Sequence, residues 1–287
     1  MDSAIPVTKE SVSLPRRRPD SHKGDYGKIL IVGGSVGYIG APNLAAAAAV
    51  RSGAGLVYLG VPQTIWTVCA VKNAEAMPFP LPCDDRGVLT AEALRPLSER
   101  WQGCGVLAMG PGMGRSDGVL TLVRAAAEGF TGPLVLDADA LWAVSAEPEL
   151  LRRAPGKVIV TPHQGEFRLL GGALTGDRLA DARAFSDKYG CVTVLKGSGT
   201  VIAFPGEEEC HILRAGNPGM AKGGSGDVLT GVMAAMLGQL PFREAVLTGA
   251  WLHSAAGDEC AAERGEYGMT PSDVIEKLPY IMKEITR

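Results

Sequence analysis

Six short apolar runs, each followed by a loop, are spaced along the chain with helix-length segments between most of them. They cover residues 28–32, 55–60, 106–109, 134–136, 158–160 and 191–195. Several of these runs lack a polar residue at every second position, which is typical of strands that are covered on both faces. The pattern therefore predicts a three-layer α/β/α sandwich with a mostly parallel central sheet.

The pattern changes after residue 196. The apolar runs 200–204 and 210–213 flank Pro205-Gly206 and predict an antiparallel hairpin, and two helices are predicted over 225–238 and 243–263. No long polar linker divides the chain, so we predict a single catalytic domain over 22–287. Residues 1–21 contain three consecutive arginines, but no apolar h-region follows them, and we predict a loose N-terminal arm rather than a signal peptide or a membrane anchor.

Composition narrows the class of protein. The net charge of -3 lacks the basic excess of a general nucleic-acid binder, so a small-molecule ligand is favoured. The six cysteines form no CxxC pair and the four histidines show no metal-binding spacing. We therefore expect free thiols, a cytoplasmic location and no transition-metal site. The longest apolar stretch, 44–50, is far shorter than the ~20 residues that span a bilayer.

Glycine is in excess, with 38 residues, and it concentrates in four loops beside predicted strands or helices. These loops cover residues 33–37, 110–114, 197–199 and 219–226. Ligands of open α/β sheets bind beyond the carboxyl ends of the strands, so the loops indicate a ligand that is contacted by bare backbone. None of them matches GxGxxG or the Walker A pattern, which excludes the two common nucleotide fingerprints.

The strongest local motif is GGSGD at 223–227, which runs into an apolar helix. Glycines in the first helical turn leave backbone N–H groups uncovered at the positive end of the helix dipole, and this favours a transferring phosphoryl group. Asp227 lies in that turn and is predicted to be the general base for an attacking hydroxyl. The alternative is that Asp227 is only a favourable charge at a helix start.

Other candidates lie at neighbouring strand ends. The segment KGSGT at 196–200 suits a second phosphate contact, and the alternative is a turn with a solvated lysine. Asp137 and Asp139 are candidates for Mg²⁺ binding, directly or through water, or for a helix N-cap. His163 is either a ligand-binding or a structural histidine.

Ser35 lies in a GxSxG pattern after a strand, and the chain order Ser35, Asp139, His253 is that of a serine hydrolase. The lack of an HGGG oxyanion loop before the first predicted strand argues against this hypothesis.

Taken together, these stretches resemble the ADP-dependent NAD(P)H-hydrate dehydratases of the ribokinase-like superfamily. The resemblance extends from residue 22 to about residue 279 and rests on HKGDYG at 22–27, GGS at 33–35, YIGAP at 38–42, GPGMG at 110–114, LDADAL at 136–141, TPHQGE at 161–166, KGS at 196–198 and GGSGD at 223–227. The GSGD ending alone would indicate only the superfamily, which also contains sugar and vitamin kinases.

The resemblance implies a reaction in which ADP phosphorylates the C6 hydroxyl of hydrated NADH or NADPH and phosphate is then eliminated, with Mg²⁺ as a cofactor to which no direct ligand is assigned. The adenosine phosphate would contact Lys196, Gly197, Ser198, Gly199, Thr200 and Gly226. The hydrated nicotinamide nucleotide would contact Ala41, Gly114, His163 and Asp227, and His163 is a candidate acceptor for the C5 proton.

Other features follow from the same resemblance. A homo-oligomer, suspected to be a tetramer, is expected from the family. The epimerase domain that is often fused to this family has no room before residue 22, so we expect any epimerase to be a separate chain. Lys222 departs from the pattern and is expected to place an extra cation beside the phosphate.

Two other functions stay open at this point. A ribokinase-like vitamin or sugar kinase would share the Asp227 loop but release a stable phosphorylated product. A nucleotide sensor would bind AMP or ADP in the same pocket without turnover.

Overall fold

A computed structural model describes residues 4–287 and contains one ten-stranded sheet. The strands are β1 (Ala4–Val7), β2 (Lys28–Val32), β3 (Leu56–Pro62), β4 (Met77–Leu81), β5 (Val106–Met109), β6 (Leu134–Leu136), β7 (Val158–Val160), β8 (Val192–Leu195), β9 (Thr200–Ala203) and β10 (Cys210–Leu213). Their order in the sheet is β1-β10-β9-β8-β7-β6-β5-β2-β3-β4. Only β9 runs antiparallel to its neighbours, so the predicted mostly parallel sheet and its hairpin are confirmed.

Helices cover both faces of the sheet. They are α1 (Gly40–Arg51), α2 (Gln63–Lys72), α3 (Leu94–Trp101), α4 (Asp117–Gly129), α5 (Asp139–Ser145), α6 (Leu150–Arg153), α7 (Gln164–Leu169), α8 (Arg178–Tyr189), α9 (Ser225–Leu237), α10 (Phe242–Gly268) and α11 (Pro271–Ile285). One hydrophobic core joins the sheet to α1, α2 and α9–α11, and a second joins the other face to α3–α8. The predicted α/β/α sandwich is therefore confirmed.

The prediction of a loose arm over residues 1–21 is wrong for the part that the structure describes. Strand β1 pairs in parallel with β10 at one edge of the sheet. Val7, Val12 and Leu14 are buried, and Leu14 forms a bridge with Thr286. The pairing of β1 and the burial of these apolar residues anchor the segment to the rest of the fold. Residues 1–3 lie outside the described part of the chain.

Strand β4, at the opposite edge, was not predicted because it contains Pro78 and Pro80. Proline cannot donate to a ladder hydrogen bond, and it is tolerated where one side of the strand has no neighbour. An edge position therefore explains how this sequence forms a strand.

The alanine-rich helix α1 is an internal layer. Ala45, Ala46, Ala48 and Ala49 are fully buried, and a Cβ on Gly231 of α9 would lie only 2.0 Å from the Ala45 carbonyl oxygen. Small side chains therefore let α1 and α9 approach closely. This contact fixes the N-terminal end of α9 above the carboxyl edge of the sheet.

The six cysteines have no disulfide partner, as predicted. Within residues 4–287, no helix combines the length and the apolar character that a membrane crossing requires.

Candidate active site

The glycine loops meet at the carboxyl edge of the parallel strands. The Gly34 amide donates to the Pro111 carbonyl over 2.8 Å, which joins the loop after β2 to the loop after β5. A Cβ on Gly112 would lie 3.2 Å from the Ala41 Cβ, so the start of α1 adjoins the same loops. The Gly114 amide donates to Asp139 Oδ2 over 2.8 Å. Ala41 and Gly114, both predicted to contact the nicotinamide nucleotide, therefore border one group of loops.

Lys196 and Asp137 form an ion pair beneath these loops. Lys196 Nζ lies 2.7 Å from Asp137 Oδ1, and the side chains are 20% and 2% exposed. Burial favours the neutral amine, but the Asp137 and Glu166 carboxylates outweigh burial and raise the pKa of Lys196. The interpretation of Lys196 as a solvated lysine is therefore wrong, because its ammonium group is held inside the site.

Asp137 is fully hydrogen-bonded. Besides Lys196, its Oδ1 accepts from Thr161 Oγ1 over 2.7 Å and its Oδ2 accepts from Thr230 Oγ1 over 3.1 Å. Thr161 follows β7 and Thr230 belongs to α9, so this carboxylate links two strand ends to the helix of the GGSGD motif. Sequence analysis did not predict the two threonines, because they lie far from Asp137 along the chain.

Asp139 differs from its predicted role as a helix N-cap. Its carboxylate holds the Gly114 amide and lies 3.4 Å from Arg115 Nε, and it is the first residue of α5 rather than the N-cap. Ala138, between the two aspartates, has φ of +47° and is the one non-glycine residue in 4–287 with positive φ. Such a conformation costs of order 1–3 kcal/mol and persists where its surroundings hold it. This conformation lets the flanking carboxylates reach different loops, since Asp137 contacts Lys196 and Asp139 contacts the Gly114 amide.

The N-terminus of α9 lies directly beside the ion pair. Gly224 is the N-cap with φ of +102°, and a Cβ there would lie 2.7 Å from Leu44 Cδ1, so glycine is required. A Cβ on Gly226 would lie 3.3 Å from Lys196 Nζ and 3.5 Å from Asp137 Oδ2. The Gly226 and Asp227 amides have no acceptor among the described residues. Two free amides and an ammonium group therefore converge, as an anion-binding site requires.

Asp227 is half-buried, and no hydrogen bond or ion pair within residues 4–287 involves its carboxylate. Burial raises its pKa to about 6, the charge of Asp137 adds to this rise and Lys196 opposes it. A carboxylate that is desolvated and unpaired, next to an anion-binding helix start, has the environment of a general base. A carboxylate that served only as a favourable charge at a helix start would not need to be desolvated in this way.

His163 is the N-cap of α7. Its Nδ1 accepts from the Gly165 and Glu166 amides over 3.0 and 3.2 Å, while the Glu166 carboxylate accepts from the His163 amide over 2.8 Å. The same carboxylate lies 3.8 Å from Lys196 Nζ, which links His163 to the ion pair. Because Nδ1 is an acceptor, the proton of the neutral ring is on Nε2. Nε2 lies 3.5 Å from Glu166 Oε1 and is the ring nitrogen that can donate to this carboxylate or to a ligand.

Two other sequence interpretations change. The Lys222 ammonium group donates to the Tyr267 and Met269 carbonyls over 2.7 and 2.5 Å, so the prediction of an extra cation beside the phosphate is wrong. Ser35 is buried and donates to the Gly112 carbonyl over 2.9 Å. No hydrogen bond among the described residues joins Ser35, Asp139 and His253, so the serine-hydrolase hypothesis has no structural support.

Comparison with known proteins decides between the families that share such a site. A sequence model of the NAD(P)H-hydrate dehydratase family matches residues 29–280. The chain belongs to this family.

Individual relatives agree with the assignment to the NAD(P)H-hydrate dehydratases. The bifunctional NAD(P)H-hydrate repair enzyme Nnr of Moorella thermoacetica is 44% identical over 277 residues, which cover 95% of this chain and 52% of that protein. The chain thus spans about half the length of the curated relatives it matches.

Solved structures show the same fold. The ADP/ATP-dependent NAD(P)H-hydrate dehydratase of Bacillus subtilis, co-crystallised with ATP/Mg²⁺, is 30% identical with a TM-score of 0.83, covering 98% of this chain and 99% of that one. A ribokinase-like superfamily protein of Enterococcus faecalis is 27% identical with a TM-score of 0.85, covering 99% of this chain and 96% of that one.

The carboxylates of this NAD(P)H-hydrate dehydratase family member do not form a dedicated Mg²⁺ site. No group of three or more His, Cys, Asp or Glu side chains in residues 4–287 is arranged to hold a metal ion. Asp137 is bound by Lys196 and two hydroxyls, and Asp139 is bound by the Gly114 amide. Proteins commonly bind Mg²⁺ through one or two carboxylates plus substrate phosphates and water. Phosphate oxygens and water would therefore have to supply most ligands of any Mg²⁺ here.

Proposed function

We propose that this protein catalyses the ADP-dependent dehydration of hydrated NADH or NADPH and forms NAD(P)H, AMP and phosphate. The observation that carries the proposal is the unpaired Asp227 carboxylate beside the free amides of α9 and the Lys196 ammonium group. Membership of the NAD(P)H-hydrate dehydratase family supports the choice of substrate.

The chemistry requires a better leaving group than hydroxide. The hydrated cofactor carries a hydroxyl at C6, and hydroxide is a poor leaving group because its conjugate acid, water, has a pKa near 15.7, whereas inorganic phosphate is a much weaker base. Phosphorylation therefore makes the C6 oxygen expellable. The phosphoryl donor and the hydroxyl must meet at one anion-binding site, which the start of α9 provides.

In the first step, Asp227 accepts the C6 hydroxyl proton while the oxygen attacks the β-phosphorus of ADP and the bond from that phosphorus to the AMP oxygen breaks. The Gly226 and Asp227 amides and the Lys196 ammonium group stabilise the charge on the transferring group. In the second step, the lone pair of the ring nitrogen expels phosphate from C6. Loss of a C5 proton then restores the C5=C6 double bond.

The loops support one placement of the two ligands. The adenosine phosphate would lie along residues 196–200 and Gly226, and the hydrated nicotinamide nucleotide would lie along Ala41, Gly114 and the Nε2 donor of His163. Mg²⁺ would enter with the nucleotide and neutralise part of its phosphate charge. A cytoplasmic location and a homo-oligomer, with a tetramer suspected from the family, belong to the same proposal.

The test is repair of hydrated NADH by the purified protein. With ADP and Mg²⁺ we expect recovery of the near-ultraviolet absorbance of reduced nicotinamide, with equal amounts of AMP and phosphate. Parallel assays with hydrated NADPH and with ATP establish which hydrated cofactor and which phosphoryl donor the protein prefers. A phosphorylated product that accumulates from a small alcohol, without repair of either hydrate, would instead identify a kinase. Nucleotide binding without any turnover would identify a sensor.

A further inference from the structure

Arg178, the first residue of α8, places its guanidinium group under the loop that joins β8 to β9. Nη1 donates to the Ser198 and Gly199 carbonyls over 2.6 and 2.8 Å. Nη2 donates to the Leu195 and Lys196 carbonyls over 2.9 and 3.3 Å. One side chain therefore holds four carbonyl oxygens of a five-residue stretch on the same side of the loop.

The orientation of these carbonyls determines where the amides point. In a trans peptide the C=O and N–H bonds point in opposite directions, and the described chain has no cis peptide bonds. Because the Lys196 and Ser198 carbonyls face Arg178, the Gly197 and Gly199 N–H groups face away from it. Neither amide has an acceptor within residues 4–287. The guanidinium group thus leaves two free N–H groups on the opposite side of the loop.

The arrangement around Arg178 is tightly built. The Asp177 carboxylate caps α8 by accepting from the Leu179 and Ala180 amides, which fixes the start of the helix. A Cβ on Gly197 would lie 2.9 Å from Arg178 Nη2, so a side chain there would press on the guanidinium group. Burial lowers the pKa of Arg178, and its Nε has no hydrogen-bond partner among the described residues. The Arg178 guanidinium group is therefore partly removed from water, and its hydrogen bonds to the loop carbonyls compensate for this.

We propose that Arg178 is a positioning residue for the adenine nucleotide: it turns four loop carbonyls away from the ligand so that the Gly197 and Gly199 amides bind its phosphate. This inference rests on the proposed function, which places the adenosine phosphate along residues 196–200. Carbonyl oxygens facing that phosphate would repel it, so the loop needs a cation on its other side to hold this orientation.

The experiment measures binding of AMP and ADP by isothermal titration, together with KM values in the repair assay. Arg178→Met removes all four hydrogen bonds, and we expect the Kd of both nucleotides to rise on the order of 10- to 100-fold. Arg178→Lys keeps the charge, but a point-like ammonium group cannot span four carbonyls, so a rise of roughly 3- to 10-fold is expected. The KM for hydrated NADH should change by less than about twofold, since none of the hydrogen bonds of Arg178 is to Ala41, Gly114, His163 or Asp227.

Arg183→Met is the matched control. Arg183 lies on the same helix and donates to the Glu208 carbonyl at the hairpin turn, away from residues 195–199. We expect its nucleotide affinity to equal that of the wild type. Thermal unfolding shows whether each variant folds. If Arg178→Met does not fold, the nucleotide affinity of Arg178→Lys tests the positioning role.

The outcomes separate the inference from the proposed function. Wild-type nucleotide affinity in folded Arg178→Met, or in Arg178→Lys, would overturn the positioning role. An equal loss of affinity in Arg183→Met would also overturn it, because the effect would then belong to the stability of α8. A wild-type protein that binds ADP but repairs neither hydrate would contradict the proposed function, and the Arg178 comparison would still be decided by binding alone.

Discussion

Two carboxylates at the carboxyl edge of the sheet are held in contrasting ways. Asp137 accepts hydrogen bonds from one ammonium group and two hydroxyls, and it is 2% exposed. Asp227 accepts none within the described chain, although burial and the nearby Asp137 charge raise its pKa to about 6. A buried carboxylate without partners is costly, so its retention indicates a group that exchanges a proton with a ligand. The comparison shows that one aspartate is held by hydrogen bonds while the other is left without a partner, as the proposed general base requires.

Asp227→Asn should have the largest effect, because it removes the base and keeps the shape of the side chain. We expect kcat for hydrate repair to fall by about 10²- to 10⁴-fold. The Kd of ADP should change little, since the α9 amides and Lys196 remain. Steady-state repair kinetics and isothermal titration measure the two quantities.

The same variant should be more stable than the wild type near neutral pH. The folded-state pKa of Asp227 is raised, so its contribution to stability is present at low pH and is lost as the pH rises through about 6. Because the side chain is partly exposed, we expect a gain of about 1 kcal/mol at pH 7 that vanishes near pH 4. Full activity in this variant, or equal stability at both pH values, would contradict the assignment of Asp227.

Asp137→Asn should have the second-largest effect, mainly on stability. It leaves the Lys196 ammonium group with the Glu166 carboxylate at 3.8 Å as its nearest partner. Breaking a fully buried pair costs 3–5 kcal/mol, and since Lys196 is 20% exposed we expect a loss of about 2 kcal/mol. Repair should slow by roughly 10-fold because Lys196 loses its fixed position.

Asp181→Asn is the matched control for this variant. Asp181 is 4% exposed and accepts from the Thr175 amide and hydroxyl, but it lies on α8. It should lose a comparable stability of about 1–2 kcal/mol with unchanged kcat. If both variants slow repair equally, the effect of Asp137 is a general loss of stability rather than the positioning of Lys196.

The contrast between the two aspartates was only partly predictable from the sequence. The GGSGD motif predicts a helix start with uncovered amides beside Asp227, and α9 does begin there, because glycines and an acid at a helix start are a local pattern. The environment of Asp137 was not predictable, because Lys196 and Thr230 are 59 and 93 residues away along the chain. Asp137 was therefore assigned to Mg²⁺ binding or a helix cap, whereas the structure shows an anchor for Lys196.

A similar limit applies to other parts of the fold. Buried parallel strands have continuous apolar runs, so β2, β3 and β5–β8 were predicted nearly residue for residue. The edge strands β1 and β4 are also apolar, but each contains proline, which is unfavourable within a sheet, so the sequence does not predict them as strands. Arg178 is not predictable from the sequence for another reason. Its partners are backbone carbonyls, which every residue has, so the residue types of the loop do not indicate the contact.

The smallest expected effect is a shift of the pH profile. The charged groups that act on the Asp227 carboxylate are Asp137 and Asp139, which raise its pKa, and Lys196, which lowers it. The base must be ionised, so kcat/KM for hydrated NADH at saturating ADP should fall as the pH drops below about 6.

In Asp137→Asn one raising charge is lost, and this loss lowers the pKa of Asp227. The acidic limb should therefore move to lower pH by less than about one unit. Nucleotide phosphates also titrate near pH 6 and contribute equally to the profiles of both variants. The shift is therefore measured as the difference in the pH of the acidic limb between Asp137→Asn and Asp181→Asn. A limb at the same pH in both variants would mean that Asp137 does not act on the base, and the division of roles between the two aspartates would then rest on hydrogen bonding alone.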